Sequence, residues 1–179
     1  MTFAQMRHRL ASPGKAWQML REHAADALAA PTGLDRGMFR KLTDTIFASP
    51  QIGLAELAEA KAMGIALVIN NRPEGESDDQ TPGGEIEAAA KAAGMDYLAI
   101  PVTHAGFSEA QVAAMATALD GATGPVLAYC RSGTRSTLLW ALAEASRGGN
   151  PAAIAATASQ AGYDVTPIRT VIDMLAAGK

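Results

Sequence analysis

Apolar and polar positions along this chain keep two rhythms. Short apolar runs bounded by polar residues read as buried strands: "IALVIN" at 65–70, "DYLAIPV" at 96–102 and "GPVLAYC" at 124–130. "TDTIFASPQI" at 43–52 reads as a strand running into a turn, with Ser49-Pro50 as the breaker. Longer stretches carry apolar positions three and four apart. Leu54, Leu57, Ala58 and Lys61 set a helix over 54–64, with Gly64 where a left-handed C-cap belongs. A second helix over 85–94 stops at Gly94. Ser108 and Gln111 form a capping box for a helix over 109–119. Residues 135–147 continue as a helix after the "GPVLAYC" run. Asn150-Pro151 opens another that stops near Gly162, and Thr166-Pro167 opens the last.

Strands alternating with helices predict an α/β fold: a three-layer sandwich with a mainly parallel central sheet flanked by helices. In such sheets ligands bind beyond the carboxyl ends of the strands. Three loops leave those ends, at 71–84, 103–107 and 130–135, and parallel strands bring them together. The first is long and polar, which inside a compact domain points to function.

The N-terminal segment reads differently. Ser12 is an N-cap candidate, Pro13 suits the first helical position, and Trp17, Leu20, Ala24 and Leu28 share one face of a helix over 13–29. "APTGLDRG" at 30–37 is linker-like, so the expected organisation is a helical extension over 1–36 and a catalytic domain over 37–179. Arg7 and Arg9 give a basic start, but the residues at 11–15 interrupt any signal-peptide core, and Glu22 and Asp26 oppose a cleaved targeting helix. His8 and His23 lack neighbours at metal-ligand spacing and read as surface.

Composition narrows the function. The 179 residues and 49% hydrophobic content suit one domain with a sizeable core. A net charge of -3 opposes a nucleic-acid role, and no apolar run reaches a membrane span. One cysteine, Cys130, excludes an intrachain disulfide and a C-x-x-C pair, in keeping with a cytoplasmic protein. No metal or cofactor is expected.

Cys130 stands at a strand end just before a helix, in "CRSGTRS". Unpaired N–H groups and the helix dipole favour an anion there, and a thiolate is one. Arg131 and Arg135 add positive charge, and Arg135 offers a planar fork for an oxyanion. Gly133 lets successive N–H groups curl inward as a nest. The hydroxyls of Ser132, Thr134 and Ser136 can serve the thiolate or a bound anion, or Ser136 can cap the helix. Trp140 and the leucines of "STLLWALAEA" belong to the core behind the loop. Arg72 either stands at the rim, attracting an anionic substrate, or pairs with Glu74 and Glu76.

"YCRSGTRS" resembles the active loop of the cysteine-dependent phosphatases, H-C-x5-R-S/T, and that of the rhodanese-like sulfurtransferases, often C-R-x-G-x-R. More widely, "LTDTIFASPQI", "VINNRPEGE", "EIEAAAKAAGMDYLAIPV", "GFSEAQV" and "GPVLAYCRSGTRSTLLWALAEA" together resemble the phosphatase-like domain of the beta-lactamase-hydrolase-like proteins. That resemblance spans 40–165 and implies a fold like the dual-specificity phosphatases. The family is described both as phosphatase and as sulfurtransferase. Some bacteria fuse the domain to a persulfide dioxygenase, which implies such a partner, but no H-x-H-x-D-H motif is present here.

Three departures bear on phosphate against sulfur. The loop is C-x4-R, one residue shorter than the phosphatase loop; Tyr129 replaces the usual histidine; and Thr103 and His104 stand where the resemblance implies an aspartic general acid. A general acid contributes about 10²–10⁴-fold, and His104, Asp78 or Asp79 could supply one. Sulfur transfer needs none, because sulfite or a thiolate already leaves well. The expected function is therefore sulfane-sulfur transfer through a Cys130 persulfide, from thiosulfate or a persulfide to an external thiol such as glutathione. The alternative is phosphoester hydrolysis through a Cys130 thiophosphate, and a third reading is a non-catalytic thiol sensor or anion-binding module.

Overall fold

The computed structural model describes residues 14, 17, 18 and 38–178. The apolar runs become strands β2 (Ile46–Ser49), β3 (Leu67–Asn70), β4 (Asp96–Ala99) and β5 (Val126–Tyr129), preceded by a short β1 (Arg40–Lys41). They form one sheet in the order β1-β2-β5-β3-β4. Every pairing is parallel except that of β1 with β2. The helices are α1 (Leu54–Ala62), α2 (Gly83–Ala92), α3 (Glu109–Gly121), α4 (Thr134–Ser146), α5 (Pro151–Gln160) and α6 (Arg169–Ala177), with a 3-10 turn at Thr166–Ile168.

Strand alternation builds the layers. On β5, Val126 and Ala128 enter one apolar cluster while Leu127 and Tyr129 enter the other; on β3, Leu67 and Ile69 oppose Val68 in the same way. Leu57, Ala60, Ile86 and Ala90 of α1 and α2 cover one face. The opposite face packs against α3 to α6. Nearly the whole of α4 is buried, Trp140 included at 2% exposed, because the sheet and other helices enclose it.

The local signals hold where they are local. Ser108 and Gln111 make both capping-box bonds. The Asn150 side chain accepts the Ala153 N–H, and Gly64, Gly94 and Gly162 take positive φ at helix ends. The run 96–102 is strand only to Ala99: Pro101 has no N–H for the ladder. Ile100 and Val102 nonetheless donate to the carbonyls of Asn70 and Asn71 at 2.8 and 3.0 Å, carrying the chain across the end of β3. β1 was not legible, being two residues without an apolar rhythm.

Of the expected N-terminal helix, Gly14, Trp17 and Gln18 are helical, and Trp17 is buried against the α3–α6 cluster. Ser12, Pro13, Leu20, Ala24, Leu28, Arg7, Arg9, His8, His23, Glu22 and Asp26 lie outside the described residues. Among the described residues, no helix is long and apolar enough to cross a membrane.

Candidate functional site

The loops after β3, β4 and β5 do meet, and Arg135 is where they meet. β5 ends at Tyr129, and Cys130 to Gly133 turn the chain into α4. The turn is stitched to the end of β2: the Cys130 N–H donates to Ser49 O and the Gln51 N–H to Arg131 O, both at 3.3 Å. Gly133 caps α4 at φ 89°, a left-handed conformation that side-chain-bearing residues rarely adopt. With that twist, the Gly133 N–H points back at the Cys130 sulfur, 3.1 Å away. The thiol has no exposed surface.

From the first turn of α4, Arg135 reaches into the convergence. Its Nη1 donates to Glu76 Oε1 at 2.6 Å and to the Val102 carbonyl at 2.8 Å; its Nη2 donates to Glu76 Oε2 at 2.8 Å. Burial works against this cation, but the bond to Glu76 and the charge of Cys130 outweigh it and hold its pKa above the usual value. One edge of the fork thus grips Glu76 while the guanidinium still feels the thiol.

Glu76 is shared. Arg72 Nε donates to its Oε2 at 2.9 Å, while Nη1 bonds Gln51 and Nη2 bonds Ser77. The bond from Arg135, and then that from Arg72, hold the Glu76 carboxyl down to about 2. The rim position for Arg72 is thereby corrected: it is 4% exposed, with its guanidinium committed to protein groups. Glu74, the other expected partner, instead accepts the Gly83 N–H.

The hydroxyl residues divide. Ser132 and Thr134 bond each other at 3.0 Å. Ser136 does not cap the helix, since Gly133 holds that position, and its buried Oγ has no protein partner. Arg131, the next residue after Cys130, is exposed. Tyr129, in the position before the cysteine, points to the other face of the sheet, into the cluster under α1 and α2. His104 lies exposed in the turn after Val102, the residue that Arg135 touches. Asp79 is exposed and bonded to the Ser77 hydroxyl, which keeps its pKa below the usual value and makes it a poor proton donor near neutrality.

Two residues of this site carried little signal in the sequence. Glu76 was legible as a partner for Arg72 but not as the ligand of Arg135. Tyr163, whose hydroxyl donates to the Ser132 carbonyl at 3.2 Å, showed none beyond following Gly162.

The sequence and the fold have known relatives. A family model for the phosphatase-like domain of beta-lactamase hydrolase-like proteins matches residues 38–147. The Beta-lactamase hydrolase-like protein of Agrobacterium fabrum strain C58 is 40% identical over 104 residues, 58% of this chain and 24% of the relative. The match therefore spans about a quarter of that longer protein. A crystal structure of a candidate phosphatase from Neisseria meningitidis Z2491 superposes with a TM-score of 0.70 at 30% identity, over 78% of this chain and 99% of the other. TpbA of P. aeruginosa, solved with pTyr, has a TM-score of 0.58 at 19% identity, over 84% and 96% of the two chains, a likeness of fold alone.

Proposed function

Because this chain belongs to the phosphatase-like domain family of the beta-lactamase hydrolase-like proteins, with a cysteine-phosphatase-like fold, we propose that it hydrolyses phosphoesters through Cys130. The observation that carries this is the aim of the Gly133 N–H at the Cys130 sulfur, beside an Arg135 fork anchored on Glu76. Both stabilise negative charge at one point, first on the thiolate and then on a phosphoryl group.

The chemistry divides into two displacements. The Cys130 thiolate attacks phosphorus and forms an S–P bond as the P–O bond of the ester breaks. The leaving oxygen takes a proton, for which His104 is the nearer candidate in chemistry, since Asp79 is held ionised. Water then attacks the phosphorus of the thiophosphate, giving a proton to the group that protonated the leaving oxygen, and the S–P bond breaks to release inorganic phosphate and the thiolate. Arg131, Ser132, Gly133, Thr134 and Ser136 form the cradle wall, with Ser136 Oγ the buried hydroxyl still free to bond an anion. Arg72 supports the site through Glu76. Since the thiol is covered, substrate entry requires the surrounding loops to part. An aryl phosphate is a fitting first substrate, given a fold neighbour solved with pTyr. Turnover that is blocked by vanadate and lost in Cys130→Ser supports the proposal. No turnover above that variant's background rejects it.

Sulfur transfer, the reading that the loop length favours, stands second. The C-x4-R spacing leaves one fewer backbone N–H to surround three phosphoryl oxygens, while a terminal persulfide sulfur needs fewer donors. Thiosulfate and cyanide on the same preparation separate the two: thiocyanate formed without phosphate release reverses their order. A reactive thiol with neither activity leaves the sensor reading.

A further inference from the structure

Tyr163 lies outside the segment matched by the family model, in the turn after α5, yet it reaches the cysteine loop. It is 3% exposed, and its own N–H is tied to the Ala158 carbonyl at 2.9 Å. The Arg40 guanidinium sits 5.0 Å from its ring centre, a cation–π contact that fixes the ring from its face. The hydroxyl end is wedged against the loop: a Cβ added to Gly133 would run into it.

Two hydrogen bonds then fall on one peptide unit. The Ser132 carbonyl accepts from the Tyr163 hydroxyl, and the Gly133 N–H donates to the Cys130 sulfur. A trans peptide is planar, and its C=O and N–H point in opposite directions. Tying the oxygen outward therefore aims the hydrogen inward. Gly133 itself cannot hold that plane, because glycine rotates cheaply. In a loop with four residues between cysteine and arginine, each N–H is a large share of the cradle.

We propose that Tyr163 is a positioning residue for Cys130: its hydroxyl holds the Ser132–Gly133 peptide so that the Gly133 N–H stabilises the thiolate. The proposal rests on reading Cys130 as the nucleophile but needs no substrate to test. Burial pushes the Tyr163 phenol up to about 12, so it remains a donor throughout the neutral range. The other charged groups acting on the thiol are Arg135 from α4 and, through it, Glu76 from the loop after β3; Arg131 follows in the cradle, and Arg40 stands behind the Tyr163 ring.

The single cysteine makes the test clean. The far-ultraviolet absorbance of the thiolate is titrated in the wild type and in Tyr163→Phe, with Cys130→Ser as the blank. The Phe variant keeps the ring and loses the hydroxyl, so its midpoint should rise by about one pH unit, a tenfold loss of thiolate at fixed pH below it. If the hydroxyl bond serves stability alone, the urea midpoint falls while the titration stays where it was, and an unmoved titration, with or without that fall, overturns the proposal. Should Tyr163→Phe fail to fold, 3-fluorotyrosine placed at 163 sharpens the donor instead: the thiolate midpoint should fall, and an unmoved midpoint rejects the idea. Neither titration depends on turnover, so loss of the phosphatase reading and loss of this one are separable.

Discussion

Glu76 and Arg135 stand 59 residues apart in the chain and face each other as a two-pronged ion pair, in which Nη1 donates to Oε1 and Nη2 to Oε2. Arg72 closes on the same carboxylate from the other side. The pair fixes one edge of the Arg135 fork and so decides where its remaining edge can point.

That arrangement has an acid signature. The folded state holds the Glu76 carboxyl at about 2 against an ordinary 4.5, so its contribution to stability is present above 4.5 and is lost as pH falls through 2. Urea unfolding of the wild type should weaken across that window by about 1–2 kcal/mol, since water screens the partly open carboxylate. Glu76→Gln should be less stable at neutral pH and should flatten that limb. An acid limb of unchanged slope in the variant would remove Glu76 as its source.

Arg135→Lys keeps the charge but not the fork. One ammonium cannot grip both Glu76 oxygens and also serve an anion, so kcat/KM for an aryl phosphate should fall by about 10²-fold. Retained kcat/KM would mean that a point charge suffices there.

The proton donor is testable by leaving group. If His104 protonates the departing oxygen, His104→Ala should slow a poorly leaving alkyl or phenyl phosphate by about 10²-fold or more and an activated nitrophenyl ester far less. Asp79→Asn should change both alike and only slightly, because Asp79 is already held ionised by its Ser77 bond. The opposite pattern would move the role from His104 to Asp79.

Gly133→Ala meets two obstacles together, a φ of 89° and the Tyr163 hydroxyl in the space of its methyl. The expected loss is about 1–3 kcal/mol in urea unfolding. A variant as stable as the wild type would show that the loop can relax into another shape.

The contrast between what was readable and what was not follows sequence distance. The Ser108 capping box, the Asn150 cap and the strand runs depend on neighbours within a few residues, and periodicity exposes those. Cys130, Gly133 and Arg135 were readable as a cradle because they are consecutive in one turn. The grip of Glu76 on Arg135 arises from crossover connections that bring the ends of β3, β4 and β5 side by side, which no local rhythm records. Arg72 was open to two readings because its side chain is long enough for either; burial decided for the ion pair. The loop count pointed toward sulfur because it weighs one missing donor, whereas the relatives and the fold put the chain among phosphatase-like proteins.

The enclosure of α4 bears on how a minimal fragment should be cut. Ile154, Ala158, Ala161, Tyr163, Val165, Ile168, Val171 and Ile172 all join the cluster that covers it. A fragment ending at residue 147, where the family match ends, would leave the back of the helix that carries Arg135 open to water. Such a fragment should aggregate or remain partly folded, and the working unit for expression must therefore run past Ile172.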